Sequence, residues 1–277
     1  MQAFDSLSRD IQQYIYDKGW PSLTNIQSAA IKQVANTDHN LILSAPTASG
    51  KTEAAFIPAL NSVEDWETGL KVLYVSPLKA LINDQFQRIS ELSEYLDIPI
   101  TRWHGEVSQT QKRKVVNQPK GILLITPESI EGMLVNRPGE AEHLFKGVEW
   151  IIIDELHSFL GTERGIHLQS LLQRISRFMQ APRFIAMSAT LNKKDFGYAK
   201  AFFGSPRHTD ILVDRDKNDL FITIDYTSGE AGPFVARESL EAIYRYSKTE
   251  TMLIFPNSRN RVEEITHKLD KMAKKEN

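Results

Sequence analysis

The chain has 277 residues, 41% of them apolar and 25% charged, with a formal net charge of −2. That length is enough for one large or two small buried cores, and the charge balance excludes a strongly basic surface, so any nucleic-acid contact must come from a local groove. The absence of cysteine excludes a disulfide framework and thiolate metal sites.

The opening segment, MQAFDSLSRDIQQYIYDK, has no apolar core of signal-peptide length. No stretch approaches the roughly 18 apolar residues of a membrane span. Neither an internal repeat nor a low-complexity tract is present. A soluble cytoplasmic protein without membrane partners is expected.

Short apolar, β-branched runs recur at 41–44, 72–76, 98–103, 122–126, 150–154 and 184–188, separated by helix-like stretches. This alternation predicts an α/β fold with a mainly parallel sheet between helices. Ligands in such sheets bind beyond the carboxyl ends of the strands. The residues that follow each run therefore carry the functional information.

The first run leads into Thr47-Ala48-Ser49-Gly50-Lys51-Thr52, a loop of small residues that opens a helix-forming stretch. Small residues let backbone N–H groups approach phosphates, and the positive end of the following helix faces their charge. Lys51 is placed to reach the β- and γ-phosphates of a nucleoside triphosphate, and the Thr52 hydroxyl to hold Mg²⁺. Ala45 stands where such loops usually have their first glycine. Ala48 occupies another frequent glycine position, so the loop is expected to manage there without easy access to positive φ.

The later runs end in Pro77-Leu78-Lys79-Ala80, His104-Gly105-Glu106, Pro127-Glu128-Ser129, Glu155-Leu156-His157 and Ala189-Thr190. Small, polar and charged residues thus land on one sheet edge six times. The fifth run supplies the second half of the phosphate chemistry. Asp154 at the strand tip is placed to hold Mg²⁺, and Glu155 to orient or deprotonate an attacking water. The basic runs Lys112-Arg113-Lys114 and 271–275 read as solvated helix faces.

A composition shift at 202–206 predicts a domain boundary, with one domain over 1–206 and a linker plus the start of a second α/β unit over 207–277. The second unit is read as a strand at 221–225, a Gly/Pro loop at 228–233, a helix at 234–248, a strand at 252–255 and a helix at 260–275. These are too few elements for a complete nucleotide fold.

Taken in order, these motifs resemble the superfamily-two helicases of the DEAD/DEAH class, most closely their Lhr-like branch. Gly19-Trp20-Pro21 with Leu23, Thr24 and Gln27 resembles the adenine-recognition segment of that family. APTASGKTEAAFIPAL is similar to its first motif, SPLKALINDQ to Ia and TPESIEGML to Ib. DELHSFLGTERGIHL resembles motif two with the Arg-Gly extension of the Lhr-like group, SATL motif three, and LIFPNSRNRVEE motif four at the start of a second RecA-like domain.

The resemblance implies a RecA-like P-loop fold and an ATP-dependent helicase or translocase that binds Mg²⁺-ATP. Its implied partner is a single strand of DNA or RNA, gripped without base specificity. It implies that Gln27 reads the adenine edge, with Phe4 as the candidate stacking aromatic and Trp20 as packed core. His157, Ser188 and Thr190 would couple the nucleotide to the nucleic acid. Pro77, Lys79, Thr126 and Ser129 would line the strand's groove, with His104 and Gly105 as further candidates.

Nothing resembles the later motifs that supply transition-state arginines from the second domain in relatives. Such an arginine contributes roughly 10³ to 10⁵ in rate, about 4 to 7 kcal/mol of barrier lowering. The chain is therefore expected to be the N-terminal part of a longer helicase and to hydrolyse ATP poorly alone. The competing reading is a nucleic-acid-binding or interaction module with a vestigial nucleotide site. A small-molecule kinase would explain neither SATL nor the Arg-Gly extension.

Overall fold

The computed structural model describes residues 2–214, 224, 235–249 and 251–276. In chain order the first unit contains α1 (Arg9–Asp17), α2 (Asn25–Asn36), β1 (Asn40–Ser44), α3 (Lys51–Ser62), β2 (Gly69–Val75) and α4 (Lys79–Tyr95). It continues with β3 (Ile100–Trp103), α5 (Gln109–Asn117), β4 (Lys120–Ile125), α6 (Pro127–Asn136), α7 (Pro138–Phe145) and β5 (Trp150–Ile153). Next come α8 (Glu163–Ser176), β6 (Arg183–Ser188), α9 (Phe196–Ala201) and β7 (Thr209–Val213).

The strands form one sheet in the order β3-β4-β2-β5-β6-β1-β7, and every pairing is parallel. All their carboxyl ends therefore share an edge.

The apolar runs are continuous because both sheet faces are covered. Along β1, Leu41 and Leu43 enter one core while Ile42 enters the other. Along β5, Trp150 and Ile152 face the first core, and Ile151 and Ile153 the second. The period of two that makes strand side chains alternate thus fills two layers from each strand. Each fully buried Leu or Ile contributes roughly 1.5–3 kcal/mol.

β7 is a finding. Read as sequence, the first domain breaks at 206, yet Thr209–Val213 pairs with β1 and closes the sheet edge. The chain divides into compact units Met1–Lys217 and Asn218–Asn277. In the second unit, α10 (Arg237–Ser247) and α11 (Arg259–Glu276) bury Leu240 and Ile265, and the Glu264 carboxylate accepts from the Val235 amide at 3.1 Å.

The strand expected at 252–255 is corrected. Those residues form no ladder among the described residues, and Leu253 and Phe255 are exposed. A strand exists only by pairing. Apart from Ile224, the strand expected at 221–225 lies outside the described residues, as does the loop at 228–233. No described helix is long and apolar enough to cross a membrane.

One glycine is dictated by packing. A Cβ on Gly165, at the start of α8, would lie 1.9 Å from the Phe159 carbonyl oxygen. Gly165→Ala is expected to destabilise the first unit by about 1–3 kcal/mol or more. Gly132→Ala inside α6, where a Cβ meets nothing within 4 Å, is the control in the same thermal melts and should be neutral or stabilising by up to about 1 kcal/mol.

Candidate functional site

The loop after β1 turns on two residues in the left-handed region. Gly50 has φ 79°, which favours glycine, and a Cβ there would fall 2.5 Å from Gln27 Nε2 and push that amide aside. Ala48 has φ 61°. Without glycine's easy access to positive φ, the loop nonetheless adopts it here, at a cost of roughly 1–2 kcal/mol for a residue with a Cβ.

Lys51 opens α3, and its ammonium donates to the Ala45 carbonyl and, at 3.0 Å, to that of Pro46. The Ser49 hydroxyl donates to Pro46 O at 2.8 Å. Burial lowers the Lys51 pKa, opposed by the charges of Glu155 and Asp154. The lysine and the acidic pair are therefore within electrostatic reach, although their strands are separated in the sheet by β6.

Gln27 is buried and serves two contacts at once. Its Oε1 accepts from Thr24 N at 2.9 Å, closing a capping box at the start of α2. Its Nε2 donates to Gly50 O at 3.4 Å, and the Thr24 hydroxyl donates to Ser49 O at 3.2 Å. Gln27 thus braces the loop directly. Phe4, Trp20, Pro21 and Leu23 line one cavity of about 530 Å³ beside α1 and α2, together with Ser28. Trp20, read as core, both packs on the core and faces that cavity.

Two residues that sequence reasoning missed hold the cation-binding candidates. Thr52 Oγ1 donates to Gln85 Oε1 of α4 at 3.3 Å, leaving the hydroxyl lone pairs available. Asp154 accepts from the Tyr74 hydroxyl on the neighbouring strand β2 and, at 2.9 Å, from the Glu155 amide. Burial raises the Asp154 pKa above the usual carboxylate range, against the Tyr74 hydrogen bond and the Lys51 charge. Burial beside Asp154 also pushes the Tyr74 phenol well above its usual value. That hydroxyl stays protonated and keeps donating.

Glu155 itself sits at φ 48°, another strained position. Its carboxylate lies 3.2 Å from His157 Nδ1, and the same nitrogen is 3.4 Å from Ser188 Oγ. Ser188 donates on to Thr190 O at 2.8 Å. The three residues expected to couple two ligands therefore form one polar chain from the tip of β5 to the tip of β6.

Across the other half of the edge, Gly105 and Ser129 line one groove of about 300 Å³ with Trp103, Lys112 and Arg137. Lys112, read as part of a solvated face, instead lies over the Trp103 ring at 5.6 Å. Thr126 and Ser129 also cap α6, with Ser129 N donating to Thr126 Oγ1 at 3.3 Å. Lys79 pairs with Glu106 at 2.7 Å on the surface, a bond weak enough for a phosphate to displace.

Pro77 offers its carbonyl to Arg164, which also grips Glu128 at 2.6 Å. That arginine of the Arg-Gly pair ties together the ends of β2 and β4. His104 differs from its neighbours: its ring is buried, burial lowers its pKa, and neither nitrogen has a partner among the described residues.

Residues 24–196 match the family model described as DEAD/DEAH box helicase. The chain belongs to the DEAD/DEAH box helicase family. The family match runs from the capping threonine before Gln27 to just past Thr190, so of the site residues named above it leaves out only Phe4, Trp20, Pro21 and Leu23.

Among its curated relatives is the ATP-dependent helicase Lhr-Core of Saccharolobus solfataricus, 29% identical over 285 residues, covering 93% of this chain and 31% of that protein. The chain thus spans about a third of the length of that helicase. In fold it is similar to the helicase Lhr of Mycobacterium smegmatis bound to ssDNA and AMP-PNP, with a TM-score of 0.84 at 24% identity over 100% of this chain and 37% of that one. The DUF1998 helicase MrfA bound to DNA and AMPPNP gives a TM-score of 0.79 at 25% identity, covering 98% of this chain and 39% of that one. The seven-stranded sheet is therefore a RecA-like helicase domain.

Tyr74→Phe tests how this DEAD/DEAH box domain holds its acidic pair. If Asp154 holds Mg²⁺, losing the phenolic donor should raise the Mg²⁺ concentration needed for nucleotide binding about 10-fold, the effect of losing a ligand's outer hydrogen bond. A Mg²⁺ titration of nucleotide affinity reads it.

Proposed function

We propose that the chain is the motor domain of an ATP-dependent nucleic-acid helicase or translocase, followed by the linker and start of a second RecA-like unit. The carrying observation is the convergence on one sheet edge of the Lys51 loop, the Asp154-Glu155 pair and the His157–Ser188–Thr190 chain. The MrfA complex with DNA and AMPPNP supports the reading from a related domain.

In this reading the loop amides at Thr47, Ala48, Ser49 and Gly50 cradle the phosphates. Lys51 leaves two neutral carbonyls for a phosphate oxygen. The Thr52 hydroxyl and the Asp154 carboxylate are hard oxygen donors, the set that suits Mg²⁺. Held by Thr52 and Asp154, Mg²⁺ would supply positive charge against the negative charge of the phosphates. Glu155 orients the attacking water or accepts its proton, and Gln27 has a second amide hydrogen for the adenine edge. The resemblance implies a transition-state arginine from a second domain, so the first unit by itself is proposed to turn over slowly.

The nucleic-acid strand lies along Pro77, Lys79, Gly105, Thr126 and Ser129, with Lys112 and Arg137 added by the groove. Titration of labelled single-stranded DNA and RNA at several salt concentrations tests this. Lys112→Ala and Arg137→Ala should each weaken binding and reduce the salt slope by about one. A chain that binds neither strand contradicts the proposal. Strand binding without nucleotide binding would favour the module with a vestigial nucleotide site.

A further inference from the structure

The amino-terminal end of the sheet, opposite the candidate motor site, carries a cluster that the motor reading does not use. His39 immediately precedes β1, His208 immediately precedes β7, and Asp210 is the second residue of β7. β1 and β7 run parallel with Asn40 opposite Thr209 and Leu41 opposite Asp210. That register sets His39 beside His208 and puts Asp210 two residues along, so the strand period of two gives all three one sheet face.

His39 Nδ1 lies 2.7 Å from Asp210 Oδ2, and His208 Nε2 lies 3.1 Å from Asp210 Oδ1. All three donor atoms fall within 4.8 Å of one another.

The scaffold beneath them is fixed. Arg183 Nη2 donates to the His39 carbonyl at 3.0 Å, and Asn40 N donates to that of His208 at 2.8 Å. The fully buried Asn40 side chain accepts from Phe184 N at 3.0 Å. From α2, Gln33 Nε2 donates to Asp210 Oδ2 at 2.6 Å and orients the carboxylate. The side chains of His39 and His208 are 33% and 58% exposed, which leaves an ion a path from solvent.

We propose that His39, His208 and Asp210 bind a divalent transition-metal cation of the Zn²⁺ type, clipping the edge strand β7 to the loop that enters β1. Two imidazoles and one carboxylate suit Zn²⁺, Co²⁺ or Ni²⁺, whereas Mg²⁺ and Ca²⁺ prefer all-oxygen sites. A tetrahedral Zn²⁺ needs its donors about 3.4 Å apart; the imidazoles lie 2.7 and 3.1 Å from different oxygens of Asp210, and one donor atom from each residue falls within 4.8 Å of the others, so a small side-chain adjustment brings them to that spacing. Water would take the fourth position, and Gln33 supplies the outer hydrogen bond that metal-ligating groups usually have.

Calorimetry of the metal-free 277-residue chain with ZnCl₂ tests the site, with MgCl₂ and CaCl₂ as controls. One saturable Zn²⁺ per chain is expected at this cluster, together with a Zn²⁺-dependent rise in melting temperature. His208→Ala and Asp210→Asn should each weaken that binding about 100-fold or more and abolish the thermal shift. Circular dichroism without metal checks that both variants fold. The Co²⁺ absorption spectrum of the wild-type chain gives a reading that needs no variant, and a tetrahedral band is expected. Absence of that band overturns the proposal, as does Zn²⁺ binding that survives both substitutions. In either case the cluster is only a hydrogen-bonded triad.

Discussion

Lys51→Ala is expected to remove measurable nucleotide binding while leaving the fold intact. The ammonium hydrogen-bonds the carbonyls of Ala45 and Pro46 and makes no contact ion pair among the described residues, so its loss breaks no salt bridge and removes only longer-range support from the buried Asp154. What disappears is the charge-assisted contact with phosphate. Each such hydrogen bond contributes about 1.5–3 kcal/mol, so losing two weakens affinity by roughly 10² or more. Fluorescence titration with a labelled ATP analogue measures it, alongside an unchanged thermal melt in the absence of nucleotide. Affinity within a few-fold of wild type would remove Lys51 from the phosphate site and end the phosphate-loop reading.

Glu155→Gln should separate binding from chemistry. The amide matches the carboxylate in shape and can keep a contact to His157 Nδ1, which lies 3.2 Å from the native carboxylate. The backbone at φ 48° need not move. A glutamine cannot accept the water's proton, so single-turnover ATP hydrolysis should fall about 10²- to 10⁴-fold. Nucleotide affinity should stay within a few-fold. Unaltered turnover would assign the water to another residue. A parallel loss of affinity would instead mean that Glu155 acts through the binding geometry.

The five central strands were legible because burial on both faces leaves a run such as Trp150-Ile151-Ile152-Ile153 without a polar interruption. β7 was not legible for the opposite reason. Thr209–Val213 is an edge strand with half-exposed Ile211 and Leu212 and a polar Asp210, so it carries no continuous apolar signal. The cost at Ala48 was hidden because the residue type argues against the φ that the loop imposes. Glycine at 50 and 165, by contrast, announced a requirement that the structure explains.

The parts of the site that come from single strand ends could be read directly. Those that depend on register could not. Tyr74 looks like an ordinary β-former, and its partner Asp154 lies 80 positions along the chain, reached because β2 and β5 are neighbours. His39 and Asp210 are brought together over 171 positions by the β1–β7 pairing alone. Lys112 belongs to a basic run whose spacing suggests a solvated face, and only the position of Trp103 turns it toward a groove.

The central claim is that one sheet edge serves both a nucleotide and a nucleic-acid strand, joined by the His157–Ser188–Thr190 chain. The direct test is a thermodynamic square. Single-strand affinity is measured with and without a non-hydrolysable ATP analogue, and affinity for the analogue with and without the strand. Coupled sites must change each other's affinity by the same factor, typically about 5- to 150-fold. Equal factors above one are expected in both directions, lost in His157→Ala. Two ligands that bind with no mutual effect would contradict it.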